Sequence, residues 1–383
     1  MKKFFFILIL ISLSFLSVFN PFTSNQTQAA DIPSQIFNLK IEGDPSNVWF
    51  EKGKMLYKIM AWSDAVSAFS NIDSSAPQDM LDESLYLRAN CLIKTGSFTE
   101  AMSSVSKIQG KSKFYVQSLY TKAIISINTG NVKEAADYLE QLLKIIPESK
   151  TAKDTQNPDM RDLAQKTHLL LGFILLGQNN PEDAAKHFEI IPENSPLYTQ
   201  ALYGSGWAYA NMGRWVRTVI FWEELVTTSP DSPYSREVVP YIGHAYTKLS
   251  AYGKALEQNG KALRYYEDLL KKIQSLEKDI QNQDIKGLNH AVDITGNSNL
   301  TEKLSLYNGL ASIEERLVEP LIGESMRFRK EIIDSVTERL KQDIKELKQG
   351  LLEESANASL EMARNLHLEG GGQINNDMIF EAP

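Results

Sequence analysis

Five histidines, His168, His187, His244, His290 and His367, are the residues of this chain best suited to bind a metal or carry a proton. None stands four residues from another, so no His-x-x-x-His pair presents two imidazoles on one helical face, and no zinc signature exists. A Gly-x-x-x-x-Gly-Lys-Ser/Thr phosphate loop and a Gly-x-Ser-x-Gly nucleophile elbow are also missing. The one short glycine cluster, Gly204-Ser205-Gly206, lies inside a helical stretch, where glycine serves close approach between helices. The carboxylates of "IEERL" and "LLEES" fall on helix faces beside lysines and read as solvated surface. A single cysteine, Cys91, excludes an intramolecular disulfide and reads as a small buried hydrophobe. The formal net charge of −8 argues against nucleic acid and anionic lipid as partners, since both need clustered Lys and Arg. These residues imply no reaction, no metal and no cofactor, and leave a recognition surface as the means of function.

The elements that would carry such a surface repeat. Small residues stand at Gly53, Ala89, Ala123, Gly172, Gly206 and Gly243, and twelve places after each comes Ala65, Ala101, Ala135, Ala184, Thr218 or Ala255. The intervals along the second set are 36, 34, 49, 34 and 37 residues. Four residues further on come Phe69, Val105, Leu139, Phe188, Trp222 and Asn259, and Pro77, Pro147, Pro196 and Pro230 close four of the units. Paired small positions let two helices cross closely with a bulky side chain behind the crossing.

This pattern, from about Ser46 to Leu269, resembles the tetratricopeptide repeat, with its period of about 34 residues. The best units are the fifth, "ALYGSGWAYANMGRWVRTVIFWEELVTTSP", and the third, "SLYTKAIISINTGNVKEAADYLEQLLKIIP". Lys113 at a proline position, Thr218 for alanine and Asn259 for a bulky residue depart from it. The resemblance implies an all-α fold: a right-handed solenoid of about six hairpins whose concave face binds other proteins. It places inner-face positions at Phe50, Tyr57, Tyr86, Asn90, Tyr120, Ile124, Asn128, Phe173, Tyr203, Trp207, Asn211, His244 and Lys248. Tyr86, Tyr120 and Tyr203 share one repeat position, so they either pad the contact between neighbouring repeats or form a ladder along the groove. Their recurrence favours the groove, where a phenol offers area and a hydrogen bond to a bound peptide.

Outside the repeats, residues 1–30 read as a secretory signal: Lys2 and Lys3, an apolar run from Phe4 to Phe19, then a cut after Ala29 or Ala30. Uncleaved, residues 4–19 would instead anchor the chain in the inner membrane. Loss of Lys2 and Lys3 takes the net charge from −8 to −10. Residues 31–45 read as a leader, 46–147 as repeats one to three, 148–163 as an insertion loop and 164–264 as repeats four to six. Residues 265–368 read as long coiled-coil-like helices. One apolar stripe passes through Tyr266, Leu269, Ile273, Leu276 and Ile280, and a second through Ile333, Val336, Leu340, Ile344, Leu347 and Leu351. Between the stripes "KGLNHAVDITGNSN" reads as a break and Pro320 with Gly323 as a kink; 369–383 reads as a disordered tail. The two stripes are expected to pack together and cap the solenoid.

The resulting expectation is a noncatalytic exported scaffold that binds a peptide or helix of a cell-envelope protein in its groove. Two alternatives remain from the sequence: a structural subunit of a secretion or polysaccharide-export assembly that self-associates through the C-terminal helices, and a periplasmic holdase.

Overall fold

The computed structural model describes residues 44–146, 158–313 and 319–370. Residues 1–43 and 371–383, with the signal, most of the leader and most of the tail, lie outside the described residues, as do Pro147 and residues 148–157 of the expected insertion loop. Every element among the described residues is a helix, and the fold is an all-α repeat solenoid. The helices follow one another along the chain in six pairs joined by short turns: α1 (Pro45–Lys58) and α2 (Trp62–Ser70), α3 (Gln78–Lys94) and α4 (Phe98–Val105), α5 (Tyr115–Asn128) and α6 (Val132–Ile145), α7 (Pro158–Gly177) and α8 (Pro181–Glu189), α9 (Tyr198–Asn211) and α10 (Trp215–Thr228), and α11 (Pro233–Lys248) and α12 (Tyr252–Gln281). After them come α13 (Ile285–Thr295), α14 (Ser298–Ile313) and the 51-residue α15 (Glu319–Glu369).

Each pair turns on one left-handed residue, five places before the second small position. Gly96, Gly130 and Gly213 have φ of 76°, 80° and 69° there, and Met60, Asn179 and Ser250 have 56°, 60° and 56°. The turn geometry is thus constant, although only half of the units carry the residue that adopts it without strain.

The helix crossings follow the small-residue pattern. A Cβ added at Gly53 would lie 2.5 Å from Phe69, one at Gly206 2.1 Å from Nε1 of Trp222, and one at Gly243 2.0 Å from Asn259. Where the partner is smaller, alanine suffices: Ala89 packs with Ala101 and Val105, and Ala123 with Ala135 and Leu139. Glycine therefore faces Phe, Trp or Asn, and alanine faces Val or Leu. A fully buried side chain of this kind contributes about 1.5–3 kcal/mol, and Phe69 and Trp222 are 4% and 1% exposed.

The described chain divides into two compact units. The first contains the residues up to Gly177 with Ser298–Asp334, and the second contains Gln178–Asn297 with the residues from Ser335. In the first, α14 lies across the C-terminal ends of α1 and α3. Glu302 pairs with Lys94, and Gly309 sits so close to the carbonyl of Lys58 that a Cβ would be 2.4 Å from it. Leu300, Leu304 and Leu310 of α14 are buried.

In the second unit the distal half of α15 runs antiparallel to α12. Glu369 meets Gly253, Met362 meets Gly260, and Lys348 pairs with Glu277. The same segment is parallel to α11: Glu361 acts on His244, and Asn365 accepts a hydrogen bond from Thr247 at 2.9 Å. Antiparallel to the last second helix and parallel to the last first helix is the placement a further repeat's first helix would take. Ile273, Leu276 and Ile280 on α12 and Val336, Leu340, Ile344 and Leu351 on α15 are all buried.

Three readings of the sequence need correction. The helix after the insertion begins at Pro158, inside the stretch assigned to the loop, because proline in a first turn gives up no hydrogen bond. Pro320 likewise stands second in α15 and starts that helix, and Gly323 lies within it without a turn. The supposed break after α12 is α13, with Asp284 as N-cap, accepting from Gly287 N at 2.8 Å, and Gly296 as left-handed C-cap at φ 69°. Gly287 itself marks close approach to α12, since a Cβ there would lie 2.4 Å from Cβ of Asp279.

Candidate peptide-binding face on the first helices

The first helices of the first unit bring Tyr57, Tyr86, Asn90 and Tyr120 together. Tyr57 lies beside the Asn90 amide. Burial chiefly, with Tyr86 and Cys91 beside it, pushes the Tyr57 phenol up to about 12. Burial first, then Asp162 of α7 and Tyr86, raises Tyr120 as well. Tyr57 sets its ring edge against Trp62 at 5.4 Å, and Tyr86 stacks on Phe114 at 5.6 Å. All four inner-face residues are half-buried, so part of each is open. The result is a row of phenols, one from each of three consecutive repeats, braced by aromatic neighbours and still able to give a hydrogen bond. Trp62, Phe114 and Asp162 were not singled out from the sequence. Trp62 and Phe114 stand directly before or at the start of a helix, outside the inner-face spacing that drew attention to the tyrosines.

Other expected positions serve differently. Phe50 is buried, 6.4 Å from Phe69 inside its own hairpin, with Lys54 over its ring at 4.9 Å. The Asn128 amide donates to the Ile124 carbonyl of its own helix at 2.8 Å. Phe173 and Ile124 are half-buried, and Ile124 packs against the core.

In the second unit Tyr203 and Trp207 are 1% and 4% exposed and belong to the interior. Tyr203 lies 5.0 Å from Tyr234 and donates to Glu237 at 2.6 Å; Trp207 stands edge-on to Trp222 at 5.1 Å and to Tyr241 at 5.2 Å. The expected ladder therefore fails at its third rung. In that repeat Gly204 and Gly206 keep the helix thin, aromatic side chains of α10 and α11 close over it, and Tyr203 pads the contact between repeats. Asn211 is half-buried, and His244 and Lys248 are exposed. The His244 pKa is nonetheless lowered, by partial desolvation from crowded neighbours first and by Lys248 and Arg364 next, with Glu361 opposing.

Cys91 has no exposed surface, and burial pushes its thiol up to about 12, so it is a core side chain.

Two family models described as tetratricopeptide repeat match the sequence, over residues 116–149 and 200–232. Those two stretches of the chain are tetratricopeptide repeats. The matched stretches begin on α5 and on α9, the first helices of two of the helix pairs. No curated protein matches the sequence. Among solved structures, a tetratricopeptide repeat protein from Parabacteroides merdae is similar at 14% identity, covering 77% of this chain and 99% of its own, with a TM-score of 0.44. The C-terminal part of a TPR repeat-containing protein from Cytophaga hutchinsonii is similar at 14% identity over 72% and 98%, TM-score 0.44. MamA from Desulfovibrio magneticus is similar at 16% identity over 49% and 96%, TM-score 0.40. Repeats of this kind support a scaffold for protein–protein interaction.

Proposed function

We propose that this scaffold is noncatalytic and exported, and that its first unit holds a peptide segment or helix of a cell-envelope protein against Tyr57, Tyr86, Asn90 and Tyr120. The observation that carries the reading is the row itself: phenols from three consecutive repeats, half-buried, with the Asn90 amide beside Tyr57. Aromatic residues with a polar tip bind an apolar side chain and a backbone group together, and lose little entropy in doing so. Export is supported by Lys2, Lys3 and the apolar run Phe4–Phe19.

A photoreactive residue in place of Tyr86, introduced in cells and followed by mass spectrometry of adducts, tests the binding face. Buried Tyr203, replaced in the same way, is the control. One discrete foreign protein captured from Tyr86 and none from Tyr203 is expected; equal capture from both, or none, overturns the reading. A fusion of residues 1–45 to a reporter that is active only after export tests location separately, and an inactive reporter would remove the envelope while leaving the binding face intact.

A further inference from the structure

The distal part of α15 has two apolar faces. Leu351, Ala358 and Asn365 are buried in the second unit, about a third of a turn from an outward row of Leu352, Ala356, Ser359, Ala363 and Leu366. Every member of that outward row is exposed, and Leu352, Leu360 beside it and Leu366 are 60%, 51% and 60% open. The steps are 4, 3, 4 and 3, the spacing of a helix-pairing seam. Towards the N-terminus the same face continues as Gln349 and Lys345, so the apolar row is confined to one stretch of the helix.

The residue types read the same from either end, Leu, Ala, Ser, Ala, Leu, with the leucines seven residues to each side of Ser359 and the alanines three before and four after it. A seam with that symmetry is complementary to a reversed copy of itself, which is the requirement of a twofold, isologous contact. In such a pair Leu352 of one copy packs against Leu366 of the other, Ala356 against Ala363, and the two Ser359 side chains meet on the axis. The small central residues let the helices approach closely there, and the leucines fill the wider ends. Ser359 brings no unpaired hydroxyl to the axis, since its Oγ donates to the Ser355 carbonyl at 3.0 Å.

We infer that this face is where two copies of the chain associate, through antiparallel pairing of α15 centred on Ser359. It differs from the face carrying Leu340, Ile344 and Leu351, which is already buried within one copy. The seam is about 20 Å long at 1.5 Å per residue, so the dimer is weak and concentration-dependent.

The test uses the full chain purified with Cys91→Ser, so that any new thiol is the only one. Sedimentation over about 1 to 200 μM, a range suited to a small interface, should show a monomer–dimer equilibrium that Leu352→Glu with Leu366→Glu shifts at least tenfold towards monomer. Both leucines are exposed, so the double variant should keep the parent's helical signal and melting point. Under mild oxidation Ser359→Cys should cross-link to itself, whereas Leu352→Cys alone should not, because its symmetry mate lies about 20 Å away; mixed with Leu366→Cys it should. A monomer throughout that range overturns the inference, as does self-cross-linking from Leu352→Cys as efficient as from Ser359→Cys. A Ser359→Cys thiol that resists both cross-linking and alkylation in the monomer would show the face covered within one chain, and overturns it too.

Discussion

At the scale of single residues, the crossing rule was legible in the sequence because it is local: a glycine or alanine and the side chain sixteen places on must fit one gap. At Gly206 the fit has no slack, and the Trp222 indole would meet a new methyl at 2.1 Å. Gly206→Ala should therefore destabilise the chain by about 1–3 kcal/mol despite alanine's better helix propensity, as measured by urea unfolding. An unchanged midpoint would mean the crossing relaxes freely. The turn rule was less visible, because half of the units disguise it. Ser250 is exposed and holds φ at 56° with a side chain that disfavours it, so Ser250→Gly should stabilise by roughly 0.5–1 kcal/mol, the left-handed penalty less the entropy glycine adds to the unfolded chain. The fate of Tyr203 was not legible. Its repeat position matches that of Tyr86 and Tyr120, and only its neighbours, Tyr234 and Glu237 of α11 and Trp207 of its own helix, decide that it is interior.

At the scale of elements, the six helix pairs and both long stripes could be read from period alone, whereas glycine and proline outside the repeats misled. Pro158 and Pro320 read as loop and kink, yet a proline that opens a helix and one that breaks it differ only in the residues on either side. Leu288, Ala291, Val292 and Ile294 give α13 a buried side that its two glycines obscured. The distal part of α15, placed like the first helix of another repeat, should matter to everything beneath it. Removing residues 348–383 takes away Leu351, Ala358 and Asn365 together with the Lys348–Glu277 pair, and leaves the α12 side around Tyr266 facing water. The shortened chain is expected to unfold at lower urea, with a shallower transition and stronger binding of a hydrophobic dye. An unaltered, equally steep transition would show that the last repeat needs no such cover.

At the scale of the whole molecule, tyrosines in both units share one property. Tyr57 in the first unit and Tyr234 and Tyr265 in the second are each pushed up to about 12, in every case chiefly by burial. An exposed phenol ionises near 10. Between those values the unfolded chain releases protons that the folded chain keeps, so alkali favours unfolding. The stability these groups contribute is fully present below about pH 10 and is lost as pH rises towards 12. Helical signal and tyrosinate absorbance, followed together from pH 8 upward, should stay flat to about 10 and then change together, because these phenols ionise as the chain opens. If the phenols of Tyr57, Tyr234 and Tyr265 instead ionise near pH 10 in a chain that is still helical, they are open to solvent in the folded state, and the surface around Tyr57 would be looser than the one on which a partner is proposed to dock.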